Sequence, residues 1–269
     1  MVIGLVSFNL QKLMKRLYRL LLLLSLAGTA FAGWKYRDPI ISFYRQHIAS
    51  EASEKKDVPD PARYQELITE LEQKRQALAD RYARARTAQD FSSAISESRT
   101  TLESTLPEMM SCWLGTPWDF HGTCETPGSG KIACGYFVST ILRDAGFQVE
   151  RFRLAQQPSQ GIIATFLPKE EMHIRASLDY DTFLDQVTAR GPGIRIVGLD
   201  SHVAFLIVPE SGDLRFIHSS GAASKCVVDE NRENAGVLRR SNYRVTGNLT
   251  DNDEVIYRWL FGEKWPTKL

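Results

Sequence analysis

The chain has no surplus of either charge: 33 Lys and Arg stand against 32 Asp and Glu in 269 residues. A nucleic-acid partner calls for a basic face, so this balance argues against one and fits a small or peptide-like substrate better. Metal-ligand spacing is missing too. Neither a C-x-x-C nor an H-x-x-x-H pair occurs, which weakens a zinc reading of His202, His218 and two cysteines; no metal and no cofactor is expected. Internal repeats and low-complexity tracts are absent. Cysteine is sparse, with four thiols at Cys112, Cys124, Cys134 and Cys226.

Long apolar runs are also lacking. Lys12, Lys15, Arg16 and Arg19 precede a leucine-rich run from Leu20 to Leu26, and Ala30-Phe31-Ala32 follows. This is the order of a secretory signal, with cleavage expected before Gly33, and Met14 offers an alternative start. Retention as a membrane anchor is the competing reading, but the segment is shorter than the about 20 residues that span a bilayer. Export places the protein in the periplasm or cell envelope, or outside the cell, where thiols pair. If one cysteine works as a thiol, three remain and at most one bridge forms among them; Cys112 with Cys124 is the local choice and Cys124 with Cys226 the long-range one.

From Val58-Pro59-Asp60-Pro61 the chain reads as helix, with Asp60 as cap and Pro61 at the first helical position. Tyr64, Leu67, Leu71, Leu78 and Tyr82 keep helical spacing. Thr87-Ala-Gln-Asp90 has the form of a capping box that restarts the helix, and Phe91, Ile95, Leu102, Leu106 and Met109 continue the period. A helical hairpin or coiled coil over 33–87 is therefore expected, as a spacer or as the surface for an envelope protein partner. The globular part is assigned to 88–269. There the spacing predicts a helix from Cys134 and weaker helices at 161–167 and 179–189. Strands are predicted at 193–199, 202–208 and 214–218, with further strands at 237–243 and 254–260. A helix followed by an antiparallel meander reads as α+β.

Chemistry is carried by a few residues in this frame. Cys134 stands where a Gly/Ser-rich loop becomes a helix, a position that favours thiolate over thiol. Gly135 behind it is read as leaving room for substrate. A buried core cysteine is the plain alternative. His202 opens an otherwise apolar strand, where a polar ring needs a partner. If the turn pairs Val208 with Leu214, His202 faces Ser220 and His218 lies diagonally across on the same face, about 7 to 8 Å away between Cα atoms. A slip of one residue would separate the two rings. His47 and His173 sit in polar contexts and read as surface residues.

Three stretches, "LGTPWDFHG" (114–122), "IACGYFVSTILRDAGF" (132–147) and "SHVAFLIV…LRFIHSSG" (201–221), resemble the NlpC-like cell-wall peptidases, a branch of the papain-like cysteine peptidases. The resemblance covers roughly residues 106–220 and leaves the helical segment unexplained. It implies a papain-like core with the nucleophile at the start of a helix packed on an antiparallel sheet. It further implies Cys134 as nucleophile, His202 as base and His218 as the group that orients it, with peptidoglycan stem peptide or a related peptide as substrate. Two positions depart from the family. Ala133 replaces the acidic residue associated with holding a free amine of the stem, and Trp118 replaces the usual Tyr, with Asp119 and His121 nearby as substitute substrate contacts.

The expectation is an exported cysteine hydrolase that cleaves amide bonds through a Cys-His-His acyl-enzyme mechanism. Two alternatives stay open: a silent envelope scaffold acting through its helices, and an acyltransferase using the same thiol.

Overall fold

The computed structural model describes residues 57–222 and 224–267. The expected signal (1–32), the segment at 33–56 and His47 lie outside the described residues. Helix α1 is Pro61–Arg84 and α2 is Ala88–Ser111. Asp60 caps α1 by accepting the Arg63 N–H at 2.9 Å, and Thr87 with Asp90 forms the reciprocal box at the start of α2. Each half of that box takes up a backbone donor that the helix itself leaves free.

After α2 come α3 (Cys134–Asp144), β1 (Gln148–Val149), α4 (Arg151–Ala155), α5 (Ser159–Phe166) and β2 (His173–Ala176). They are followed by α6 (Tyr180–Thr188), β3 (Gly193–Leu199), β4 (Val203–Val208), β5 (Arg215–Ser219) and β6 (Val227–Asn231). The chain ends with α7 (Gly236–Arg240), β7 (Tyr243–Asn248), α8 (Asp253–Leu260) and β8 (Lys264–Trp265). The fold is α+β. Six strands form an antiparallel sheet in the order β2-β7-β3-β4-β5-β6, and β1 with β8 forms a two-residue parallel pair.

Both faces of the central strands are covered, which is why they read as unbroken apolar runs rather than alternating ones. Ile194, Ile196, Phe205, Ile207 and Ile217 join one core with α1, α2, α3, α5 and α8. Val197, Leu206, Val208 and Phe216 join the other with α6 and α7.

Asp57–Leu269 is one compact unit, so the helical hairpin belongs to the same body as the sheet. Leu71, Leu102 and Leu106 share the core of Phe137 and Phe205. Polar contacts fix the docking: Tyr64 Oη donates to Asp144 at 2.9 Å, Arg75 Nη1 to the Leu260 carbonyl at 2.9 Å, and Arg99 Nε to the Thr250 carbonyl at 2.6 Å. The boundary expected near residue 88 falls in the turn between α1 and α2, inside this unit.

Two predicted strands are corrected. Residues 254–260 are helix α8: the Asn252 side chain accepts the Val255 N–H, acids fill the first turn, and Val255, Ile256, Trp259 and Leu260 turn inward at helical spacing. Residues 237–240 belong to α7, and the strand starts only at Tyr243. Short β-branched and aromatic stretches suit either element, and at α8 the Asn252 cap decided.

Candidate active site

The loop before α3 is pinned from both sides. Ile132 donates its N–H to the Pro117 carbonyl and Ala133 to the Gly122 carbonyl, both at 2.9 Å. The buried Ser219 hydroxyl donates to the Ile132 carbonyl at 2.6 Å. Ala133 is extended and Cys134 is the first helical residue, so the thiol stands at the positive end of α3. Phe137, Val138, Ile141 and Leu142 anchor the helix with no exposed surface. Phe137 meets Phe205 of β4 edge-on at 6.1 Å between centroids.

On the sheet, β4 and β5 pair Phe205 with Ile217, Leu206 with Phe216 and Ile207 with Arg215. Continued, that register sets Val208 opposite Leu214 and His202 opposite Ser220, as the turn predicts. His202 is held at the mouth of β4, where its carbonyl accepts the Leu199 N–H at 2.8 Å. The diagonal places the rings in contact: His202 Nε2 lies 2.8 Å from His218 Nδ1. His218 is fully buried, and its Nε2 lies 3.1 Å from Glu230 Oε2 on β6.

With both rings neutral and Glu230 ionised, these contacts select the tautomers. A carboxylate can only accept, so Glu230 requires a proton on His218 Nε2. In the neutral ring His218 Nδ1 is then bare and must accept from His202 Nε2–H. The remaining lone pair of neutral His202 is on Nδ1, and that atom is left to act as a base.

The thiol itself lies beside the backbone N–H of Val203, the residue after His202; this N–H and those of Gly135 and Cys134 favour the thiolate. Burial is the larger effect and pushes the Cys134 thiol up. Burial also pushes His202 down to about 3, aided by the neighbouring His218. Neither Cys134 nor His202 contributes to the other's shift. Burial thus favours the uncharged form of both the Cys134 thiol and the His202 ring, and chemistry at this site would begin with a proton transfer.

The residues expected around the site divide. Trp118 lies against Gly221, just past the end of β5: a Cβ on Gly221 would sit 2.7 Å from Trp118 Cζ2, so the glycine is what lets the indole approach. The Asp119 carboxylate closes its own loop, accepting the His121 N–H at 2.9 Å and pairing with Lys131 at 3.3 Å. These partners, the His121 N–H first, hold it below the usual carboxylate range. His121 is exposed and packs edge-on against Phe120 at 5.1 Å. Gly135 is corrected: the space beside it is filled by α4, since a Cβ there would lie 2.3 Å from the Ala155 carbonyl oxygen. The glycine admits a helix end, not a substrate.

All four cysteines are free, so neither bridge considered from the sequence is formed. Burial raises the other three thiols, Cys112 to about 11. Among the described residues no group of three or more His, Cys, Asp or Glu side chains is placed to hold a metal ion.

Glu230 was missed by sequence reasoning. Its stretch, "VVDEN", is rich in residues that strands disfavour. Only the pairing of β6 behind β5 sets Glu230 opposite Phe216 and diagonal to His218, and no local pattern in the sequence marks it.

No family model, curated protein or solved structure matches this chain.

Proposed function

We propose that the chain is an exported cysteine hydrolase of NlpC-like, papain-like type that cleaves an amide bond in a peptide, with peptidoglycan stem peptides as the substrate class. The observations that carry this reading are the hydrogen-bonded series His202, His218, Glu230 and a thiol at a helix start that meets the backbone N–H of Val203, the residue after His202. A structural histidine needs one partner. A series that leaves one nitrogen of His202 bare, one residue before the Val203 N–H that meets the thiol, fits the orientation of a base.

In the proposed reaction His202 Nδ1 takes the Cys134 proton as the sulfur attacks the substrate carbonyl. The resulting oxyanion is met by free N–H groups of the first turn of α3. The imidazolium that forms on His202 donates through Nε2 to His218, whose own proton is held by the Glu230 carboxylate. Collapse of the tetrahedral intermediate breaks the C–N bond, and His202 Nδ1 returns its proton to the leaving amine. Water, deprotonated by the same nitrogen, then hydrolyses the thioester and regenerates the thiol. Trp118, at the end of β5, supplies a flat apolar wall for the substrate. Ala133 offers no charge beside the nucleophile, so the substrate is expected to need no free amine there.

The test is mass spectrometry of a peptidoglycan digest incubated with the protein. New amine and carboxylate ends should appear with wild type and not with Cys134→Ala. Inert wild type sinks the hydrolase reading and favours the scaffold. A product joined to an added amine, in place of the free acid, assigns the same thiol to acyl transfer.

A further inference from the structure

Away from the thiol, the sheet carries a second polar feature. His173 of β2 stands opposite Thr246 of β7, and Asn248 of β7 opposite Arg195 of β3. Alternation along β7 puts Thr246 and Asn248 on one face, so these four side chains floor a cleft of about 600 Å³. Arg195 lies four residues before Leu199, whose N–H meets the His202 carbonyl; at about 3.3 Å per residue this separates the cleft from the His202 turn by roughly 13 Å along β3.

The cationic groups of this cleft form no ion pair among the described residues, and the charges of Asp251 and Glu103 reach Arg195 only from beyond contact distance. Arg195 is 2% exposed, and its guanidinium donates only to neutral carbonyls, Gly193 at 3.2 Å and Gly191 at 2.7 Å. Arg190 donates to His173 Nε2 at 3.0 Å. A guanidinium cannot accept, so that nitrogen of His173 is bare and its Nδ1 carries a proton, giving a neutral donor. Burial first, and then Arg190, Arg175 and Arg195, hold His173 in this uncharged form.

The rim carries the opposite sign. Glu171 is engaged by Asn252 at 2.7 Å and Asp253 by Arg99 at 2.5 Å. Glu170 and Asp251, both exposed, take part in no ion pair among the described residues. Two unpaired guanidiniums and two unpaired carboxylates thus face one space. A phosphate would meet the arginines but be repelled by the acids, and a divalent cation would meet the reverse. A molecule with both charges satisfies all four.

We infer that this cleft binds a small zwitterion of about dipeptide size, its carboxylate at Arg190 and Arg195 and its ammonium at Glu170 and Asp251. The site is independent of the proposed hydrolysis.

Titration of the isotope-labelled full chain with alanyl-alanine, followed by NMR, tests it. Saturable shifts of cleft resonances are expected, and N-acetylation or C-amidation should each weaken binding about tenfold, the worth of one charge-assisted contact. Arg190→Gln should weaken alanyl-alanine yet leave the amidated form unchanged, and Glu170→Gln should do the same for the acetylated form. Both side chains are exposed, so the fold is expected to survive, and the unshifted resonances report it. No saturable shift, equal affinity for capped and free dipeptide, or variants that bind as wild type would each overturn the assignment.

Discussion

Glu230 Oε2 lies 3.1 Å from His218 Nε2, on the far side of the ring from His202, which meets Nδ1 at 2.8 Å. The carboxylate therefore acts two residues away from the proposed nucleophile, by deciding which nitrogen of each ring carries a proton. Glu230→Ala is expected to lower kcat about 10- to 100-fold with little change in KM, the worth of a hydrogen bond to a charged group. Glu230→Gln, which keeps an acceptor, should retain more. Nitrogen NMR of the imidazoles provides the readout that a purely structural role would not move: the Nε2–H form of His202 should dominate in wild type and be lost in part in Glu230→Ala.

That residue also marks where sequence reading stops. The helix starts at Asp60-Pro61 and Thr87 were legible because capping is local, and the β4–β5 register was legible because a short turn fixes it. Glu230 depends on β6 adding to the sheet after a loop, which no local pattern announces. Gly135 shows the same limit: the loop-to-helix step was clear, but what packs beside it came from α4, 20 residues on. Strand and helix at 254–260 could be separated only by the Asn252 cap.

His202 sets the acid side of the pH response. Burial pushes its folded ring down to about 3, below the usual histidine range, so the base of the proposed reaction would stay available in acid. The acid limb of kcat/KM should fall well below pH 6.5. Stability changes in the opposite sense to that tolerance. Between about pH 6.5 and the folded value the unfolded chain binds the extra proton, so stability falls as pH falls, by at most about 1.4 kcal/mol per unit from this group. Urea unfolding at pH 7, 6, 5 and 4 measures it; stability that is flat over this window would contradict a buried neutral ring.

The raised Cys134 thiol predicts how the free protein labels. Iodoacetamide labelling, followed by peptide mapping, should be slow at pH 7 and climb only above about pH 8.5. His202→Ala should leave this profile nearly unchanged while abolishing turnover. Fast labelling at pH 5 that disappears in His202→Ala would instead reveal a preformed ion pair.

The helical hairpin is expected to be part of the folding unit. Leu71 is 1% exposed in the shared core, and Leu71→Ala should cost about 2–5 kcal/mol. Thr87→Ala, which removes half of the capping box, should cost about 1 kcal/mol. Both should shift a single denaturation transition monitored at helix and sheet alike. Two separated transitions would show that the hairpin folds as a spacer of its own.

The most direct measurement is the intact mass of the wild-type protein quenched in acid during turnover of a stem-peptide substrate. The account requires a transient increase equal to the acyl half of the substrate, mapped to Cys134 and absent from Cys134→Ala, which should be inactive. An adduct on another residue, or cleavage that persists undiminished in Cys134→Ala, would contradict it.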